Sequence, residues 1–122
     1  MKLELKHLAP YLPYGLVIRS YIFDSPISDR KLVGISNHGA YFEGEITPLN
    51  FKKCKPILRP LYDLKDSEVH SFSCSNIMDF INNVYNEIIS MKEYNYLLKN
   101  HFDVFGLIDK GLAIDINQLI IE

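Results

Sequence analysis

Residues 76–91 read NIMDFINNVYNEIISM, and this stretch carries the clearest structural pattern in the 122-residue chain. Its apolar residues recur at steps of three and four, the spacing of one apolar stripe on a helix. They are Ile77, Phe80, Ile81, Val84, Tyr85, Ile88 and Ile89. Asn76 suits the N-cap position, and Asp79 lies where the helix dipole favours negative charge. The pattern predicts one long amphipathic helix over residues 77–91.

Three strands are predicted in the first half of the chain, at residues 16–23, 31–36 and 40–46, where β-branched and aromatic residues concentrate. Residues 24–29 have the composition of a loop. The tripeptide Asn37-His38-Gly39 is typical of a tight turn, because Asn and Gly tolerate positive φ. The three strands should therefore form an antiparallel meander.

Prolines limit two further elements. Residues 5–12 have helical spacing, but Pro10 and Pro13 restrict them to about two turns or a 3₁₀ segment. Residues 52–61 contain two prolines, which confine a strand there to the edge of a sheet. The first 61 residues are thus expected to be mainly a β meander, with an SH3-like or partly open barrel shape.

The second half is predicted to be mostly helical. Residues 62–75 are polar and read as a linker, and residues 94–102 predict a shorter helical segment. Residues 112–116 predict a final strand that joins the sheet. Five apolar residues are expected in the core, namely Phe102, Val104, Phe105, Leu107 and Ile108. The prediction is one α+β domain over residues 1–122, with a small antiparallel sheet packed against one long helix and the shorter segment.

Composition places the chain among ordinary globular proteins, with 48% hydrophobic and 23% charged residues. No apolar run approaches the roughly 20 residues needed to cross a bilayer. The first residues alternate charge with leucine, unlike a signal peptide, so a cytoplasmic protein without a membrane partner is expected. The net charge of −2 divides unevenly: residues 1–60 carry nine basic and five acidic residues, and residues 61–122 carry four and ten. This asymmetry is compatible with a basic binding face, with attraction between the two halves, or with head-to-tail pairing of protomers.

Catalytic patterns are weak. Cys54 and Cys74 lack metal-site spacing and are expected to be reduced thiols, with one or both buried. The serines near Cys74 (Ser71, Ser73 and Ser75) lack a nucleophile motif. Glu43 and Glu45 would share one face of a strand, where solvated side chains are the commoner interpretation. No catalytic residue, metal ligand or cofactor is assigned, and the chain is expected not to be an enzyme.

His101 and Asp103 form the one pair that could supply two metal ligands. The commoner arrangement is a helix end, with His101 near the negative end of the dipole and Asp103 capping a turn over residues 104–108. A metal-dependent enzyme built on this pair is therefore the least favoured function.

A basic cluster offers a different function. Lys52, Lys53, Lys55 and Arg59 are close in sequence, and aromatic residues such as Tyr21 are interleaved in the same half of the chain. Lysine or arginine beside exposed aromatic rings is how small β folds bind single-stranded nucleic acid. The alternative is that the aromatic rings lie in the core and the lysines keep an edge strand from aggregating.

Three segments resemble a known group of proteins: residues 8–16 (LAPYLPYGL), residues 55–61 (KPILRPL) and residues 100–117 (NHFDVFGLIDKGLAIDIN). They are similar to small uncharacterised proteins of Bacteroides-type genomes, often encoded in prophage or phage-like regions. The resemblance implies a cytoplasmic accessory protein of phage origin and assigns no residue a role. Together with eight tyrosines and seven phenylalanines, it favours a non-catalytic protein-interaction or regulatory module, with self-association as a homodimer also open. A nucleic-acid-binding protein is the alternative.

Overall fold

The computed structural model describes residues 2–23, 25–69 and 76–121. Its helices are α1 (Leu5–Leu8), α2 (Asp66–Val69), α3 (Ile77–Tyr85), α4 (Met91–Lys99) and α5 (Ile116–Ile121). Its strands are β1 (Val17–Ile22), β2 (Ser25–Ser36), β3 (Gly39–Phe42), β4 (Cys54–Leu58) and β5 (Ile114–Asp115). Shorter 3₁₀ turns span Ala9–Tyr14, Phe51–Lys53 and Leu61–Asp63. The predicted α+β class is confirmed, whereas the SH3-like or barrel shape stays a prediction.

The strands form one sheet in the order β3-β2-β1-β4-β5. The predicted antiparallel meander is confirmed, but β5 pairs parallel to β4, so the sheet is mixed. The prediction that the proline-containing strand lies at an edge is wrong, because β4 pairs with β1 on one side and β5 on the other. Since β5 pairs only with Ile57 and Leu58, Pro56 itself faces no described strand on that side, which is how the proline is accommodated.

The hairpin of β1 and β2 is longer than predicted. Residues 24–29 were expected to be a loop, yet β2 begins at Ser25, which pairs with Ile22. A bulge between Ser20 and Tyr21 adjusts the register ahead of the pair formed by Tyr21 and Pro26. The third strand is shorter than the predicted 40–46; it pairs with residues 32–36 of β2, and its Ala40 also pairs with Leu49. Among the described residues, the far end of the β1–β2 hairpin therefore extends beyond its neighbours as a two-stranded ribbon.

The predicted long helix over residues 77–91 is wrong as a single element. Asn76 caps α3 as predicted, since its Oδ1 accepts the backbone N–H of Asp79 at 2.9 Å. The helix ends at Tyr85, and Glu87 has a φ of 59°, in the left-handed region that interrupts a right-handed helix. A second helix, α4, starts after Ser90 and corresponds to the predicted shorter helical segment.

Two helical turns, at Leu61–Asp63 and in α2, occupy the start of the region predicted as a linker, residues 62–75. The remainder of that region, including Ser71, Ser73, Cys74 and Ser75, lies outside the described residues, as does Asp24. The final strand joins the sheet as predicted but is only two residues long. The helix α5 follows it directly and was not predicted.

One hydrophobic cluster connects the sheet, the helices and the N-terminal turns. Phe102, Val104 and Leu107 are buried in it as predicted, whereas Phe105 and Ile108 are only partly buried. Tyr11 is fully buried, and its hydroxyl donates to the carbonyl of Phe102 and accepts the N–H of Val104. This hydroxyl ties the N-terminal turn to the segment that follows α4.

Candidate functional site

The junction of α3 and α4 forms an elbow held by local hydrogen bonds. Beyond the left-handed Glu87, the N–H of Ile88 donates to the carbonyl of Asn83 at 2.8 Å. Ser90 and Glu93 then form a reciprocal capping box, with N···O distances of 3.1 and 3.0 Å, which starts α4. The elbow places apolar side chains of both helices on one side of the molecule.

A turn over residues 103–111 faces this elbow. Asp103 fixes the turn, because its two carboxylate oxygens accept the backbone N–H groups of Leu107 at 2.8 Å and Ile108 at 2.9 Å. Arg59 joins the start of the turn to the sheet, since its N–H donates to His101 and its carbonyl accepts from Asp103, both at 2.8 Å. These two hydrogen bonds therefore fix the start of the turn to the sheet.

Tyr85 stands between two pockets where the elbow meets the turn. The larger pocket, of about 560 Å³, is lined by Val84, Tyr85, Glu87, Ile89, Met91, Tyr94, Val104, Phe105 and Lys110. The smaller, of about 190 Å³, is lined by Pro60, Leu61, Tyr62, Met78, Ile81, Tyr85, Asp103, Ile108 and Asp109. We call these lining residues together the Tyr85 surface. Tyr85 is 50% exposed although it borders both pockets.

The charged groups of the Tyr85 surface are mostly negative. Glu87 and Asp109 are exposed, Asp103 is buried, and Lys110 is the one basic residue that lines either pocket. Burial raises the pKa of Tyr85, and the nearby carboxylates of Asp103 and Asp109 raise it further. The larger pocket thus carries one carboxylate and one lysine, and the smaller, more apolar pocket carries the other two carboxylates.

The wall of the larger pocket is backed by packed rings. Phe105 meets His7 edge to face, with ring centroids 5.6 Å apart, and meets Tyr11 in the same way at 6.5 Å. The Nδ1 of His7 accepts the N–H of Glu4 at 3.0 Å, and burial lowers the pKa of this imidazole. Because a protonated Nδ1 could not accept that bond, the neutral ring supports the wall.

The predicted basic cluster is divided by the structure. Lys52 and Lys53 are exposed on the turn before β4, and Lys55 lies in the strand with its Nζ 5.7 Å from the centre of the Tyr21 ring. Arg59 follows the other end of β4. Its guanidinium lies 4.0 Å from the centre of the Phe102 ring and 3.6 Å from Glu68. The structure therefore engages the arginine away from the three lysines, and Lys52 and Lys53 line different cavities.

Asp103 caps its turn as predicted, and His101 follows the end of α4 with its Nε2 2.7 Å from the carbonyl oxygen of Tyr14. Within the described ranges no group of three or more His, Cys, Asp or Glu residues is arranged to hold a metal ion. Glu43 and Glu45 do not share a strand face, because β3 ends at Phe42.

Cys54 is a buried free thiol, in agreement with the prediction that at least one cysteine is buried and reduced. Burial raises its pKa to about 12, so the reactive thiolate is scarce at neutral pH.

Sequence reasoning missed the Tyr85 surface because it placed Tyr85 and Ile88 on the buried stripe of one long helix. Both are exposed in the structure, since the helix stops before the stripe is complete. The signal that could have shown the break is Ser90-Met91-Lys92-Glu93, which has the spacing of a capping box.

The comparisons with known proteins found no protein-family model, no curated protein and no solved structure that significantly matches the chain. Within the described part of the chain, no helix has the length and apolar character needed to cross a membrane.

Proposed function

We propose that the chain is a non-catalytic protein-interaction module whose Tyr85 surface binds an apolar, positively charged segment of a protein partner. The observation that carries this proposal is the position of Tyr85, half-exposed between two pockets that combine apolar side chains with three carboxylates and one lysine. The role is regulatory or accessory, in keeping with the resemblance to phage-encoded proteins.

The residues exposed around Tyr85 are of the kinds that protein interfaces favour. Met78, Ile88 and Met91 are all more than half exposed, and they extend the apolar area along both helices of the elbow. Aromatic residues and methionine are enriched in interface cores, and methionine adapts to differently shaped partners. A pocket of several hundred Å³ accepts one or two anchoring side chains, which is how a few residues supply most binding energy.

The charge of the surface selects the partner. Glu87 borders the larger pocket and Asp109 the smaller, so a docked segment meets two exposed carboxylates and one exposed lysine, Lys110. Opposite charges across an interface accelerate association and exclude wrong partners, and both effects weaken with salt. A lysine- or arginine-flanked apolar segment fits this arrangement, whereas an acidic segment is repelled.

Fluorescence polarisation with labelled synthetic peptides tests the proposal. The probe is an amphipathic helix of about four turns with leucine on one face and lysine on the other, and the matched control replaces every lysine by glutamate. We expect the basic peptide to bind with a Kd of about 0.1 mM or tighter and the acidic one not to bind. Equal binding of both peptides, or of neither, contradicts the proposal.

Two variants locate the binding. Tyr85→Ser removes the ring between the pockets and should weaken the basic peptide at least about tenfold. Ile46→Ser removes another exposed apolar side chain, 92% exposed and in neither pocket, and should leave the affinity unchanged. Equal effects of the two substitutions would show nonspecific hydrophobic binding.

A further inference from the structure

We propose that a second copy of this chain supplies the bound segment: the end of the β1–β2 ribbon of one copy docks on the Tyr85 surface of the next. We call Ile22, Phe23 and Ile27 the hairpin tip. The inference rests on the proposed function, because it uses the same surface and names its partner.

Phe23 is the most exposed large apolar side chain among the described residues, at 94%. Its φ of 55° lies in the left-handed region, which is strained for a bulky side chain. Ile22 precedes it in the chain, and Ile22 and Ile27, which line one cavity, are both more than half exposed. A strained, exposed phenylalanine between two exposed isoleucines is an anchor of the size that the larger pocket accepts.

The ribbon carries this tip beyond the residues that pair with flanking strands, and Ile22 and Ile27 line an open cavity with Phe42 and residues 47–49. Among the described strands, β3 pairs only with residues 32–36 of β2, and β4 pairs only with residues 18–20 of β1. Among the described strands, none beyond the two of the ribbon therefore pairs with the tip. A two-stranded ribbon is only marginally stable in water, so contact with a partner would also stabilise the ribbon itself.

The charges near the tip complement those of the Tyr85 surface. Lys53 lines a cavity together with Ile22 and Ile27, and Lys55 lies against the ring of Tyr21, next to Ile22. Lys52 adjoins Lys53 but lines a different cavity, with Asn37 and His38. Arg30 and Glu45, which line the same cavity as Lys53, pair with each other. Lys53 and Lys55 are thus the basic side chains near the tip that complement the carboxylates of Glu87 and Asp109.

The tip and the Tyr85 surface are different parts of the same chain, so the contact is head to tail. Each copy offers one tip and one pocket surface, which produces rings or open chains of copies rather than a symmetric pair. Because the tip is small, the interface falls below the standard size, and association is expected at roughly 0.1–1 mM protein.

Sedimentation velocity over that concentration range tests the inference on the full chain. The wild type should form species larger than a monomer as concentration rises, and less so at high salt. Phe23→Ser and Tyr85→Ser should each shift self-association to at least about tenfold higher concentration, whereas Ile46→Ser should not. Glu87→Lys provides a second change on the Tyr85 surface, at an exposed position. A monomeric wild type, or equal effects of Phe23→Ser and Ile46→Ser, overturns the inference.

Mixing the Phe23→Ser and Tyr85→Ser variants tests whether the contact is head to tail. Phe23→Ser keeps its Tyr85 surface and Tyr85→Ser keeps its tip, so an equimolar mixture should form one-to-one dimers although neither variant self-associates alone. A mixture that stays monomeric overturns the inference. The basic peptide separates the two proposals. If the wild type binds the peptide but stays monomeric, only the proposal that a second copy is the partner is wrong. If the wild type neither binds it nor self-associates, both proposals fail.

Discussion

The ring of Tyr85 faces Gly106: its Cε1 lies 3.8 Å from the point where a β-carbon on residue 106 would stand. Because residue 106 is a glycine, it places no side chain between the ring and the backbone of the turn. The ring therefore lies close to the turn, and it lines both pockets. The shape of the Tyr85 surface depends on the turn being held in place.

Tyr11 is expected to hold that turn, and Tyr11→Phe should reduce the free energy of unfolding by about 2 kcal/mol. The substitution removes both hydrogen bonds of the buried hydroxyl, so the carbonyl of Phe102 and the N–H of Val104 keep only the 3.0 Å bond that they make with each other. Urea denaturation measures the change. Tyr62→Phe is the matched control, because the hydroxyl of Tyr62 bonds Asp115 at an exposed site. Its effect should stay within about 0.5 kcal/mol, and equal losses would contradict the role given to Tyr11.

Gly39 is expected to tolerate no side chain. A β-carbon there would stand 2.1 Å from the carbonyl oxygen of Leu49, the residue that pairs with Ala40. Gly39→Ala should therefore cost about 3 kcal/mol or more in thermal or chemical unfolding. Gly44 also has a positive φ, of 85°, but its β-carbon would meet nothing within 4 Å. Gly44→Ala should cost only about 1 kcal/mol of backbone strain, and similar losses at both positions would refute the steric explanation.

The buried His7 should make the free energy of unfolding depend on pH. Burial, and after it the positive charge of Lys6, lowers the pKa of His7 below 6.5, so the folded chain favours the neutral ring. The contribution of the neutral His7 ring to the free energy of unfolding is full above pH 6.5, and it is lost as the pH falls through the lowered pKa of the folded state.

The measurement is the free energy of unfolding between pH 4 and 8 for the wild type and for His7→Asn, whose amide oxygen can replace Nδ1 as the acceptor for Glu4. The wild type should lose more stability than the variant as the pH falls. Parallel profiles would show that His7 does not contribute.

Nucleic-acid binding should be weak. Because Arg59 is engaged with Phe102 and Glu68, only three lysines of the basic cluster remain for phosphate contacts. Few phosphate contacts give low affinity, so short single-stranded DNA and RNA should bind with a Kd above about 0.1 mM at physiological salt. An anisotropy titration measures this. Micromolar binding that disappears when Lys52, Lys53 and Lys55 are changed to glutamate would instead support the nucleic-acid alternative.

Much of the sheet and the start of α3 could be predicted, because local patterns specify them, whereas the break between α3 and α4 was missed. The turn at Asn37-His38-Gly39 and the N-cap at Asn76 are decided by residues within a few positions of each other. The extension of β2 to Ser25 was missed because Pro26 and the polar residues around it are typical of loops. Pairing with β1 across a bulge overrode that local preference.

The candidate site could not be predicted, because its parts meet only through long-range contacts. Position 87 carries a glutamate, and nothing in that residue type indicates a left-handed backbone. The turn that faces α3 is located by the pairing of Arg59 with Phe102, residues far apart in sequence. The one local signal was the capping box from Ser90 to Glu93, which marks where α4 begins but not what packs beside it.

The most direct test of the Tyr85 surface is an NMR titration of ¹⁵N-labelled protein with the basic amphipathic peptide. We predict that the amide signals that shift belong to α3, the elbow, the start of α4 and residues 103–111, while those of residues 52–55 stay in place. Shifts concentrated at residues 52–55 and in β1, or no shifts at saturating peptide, would contradict the assignment of the binding site to the Tyr85 surface.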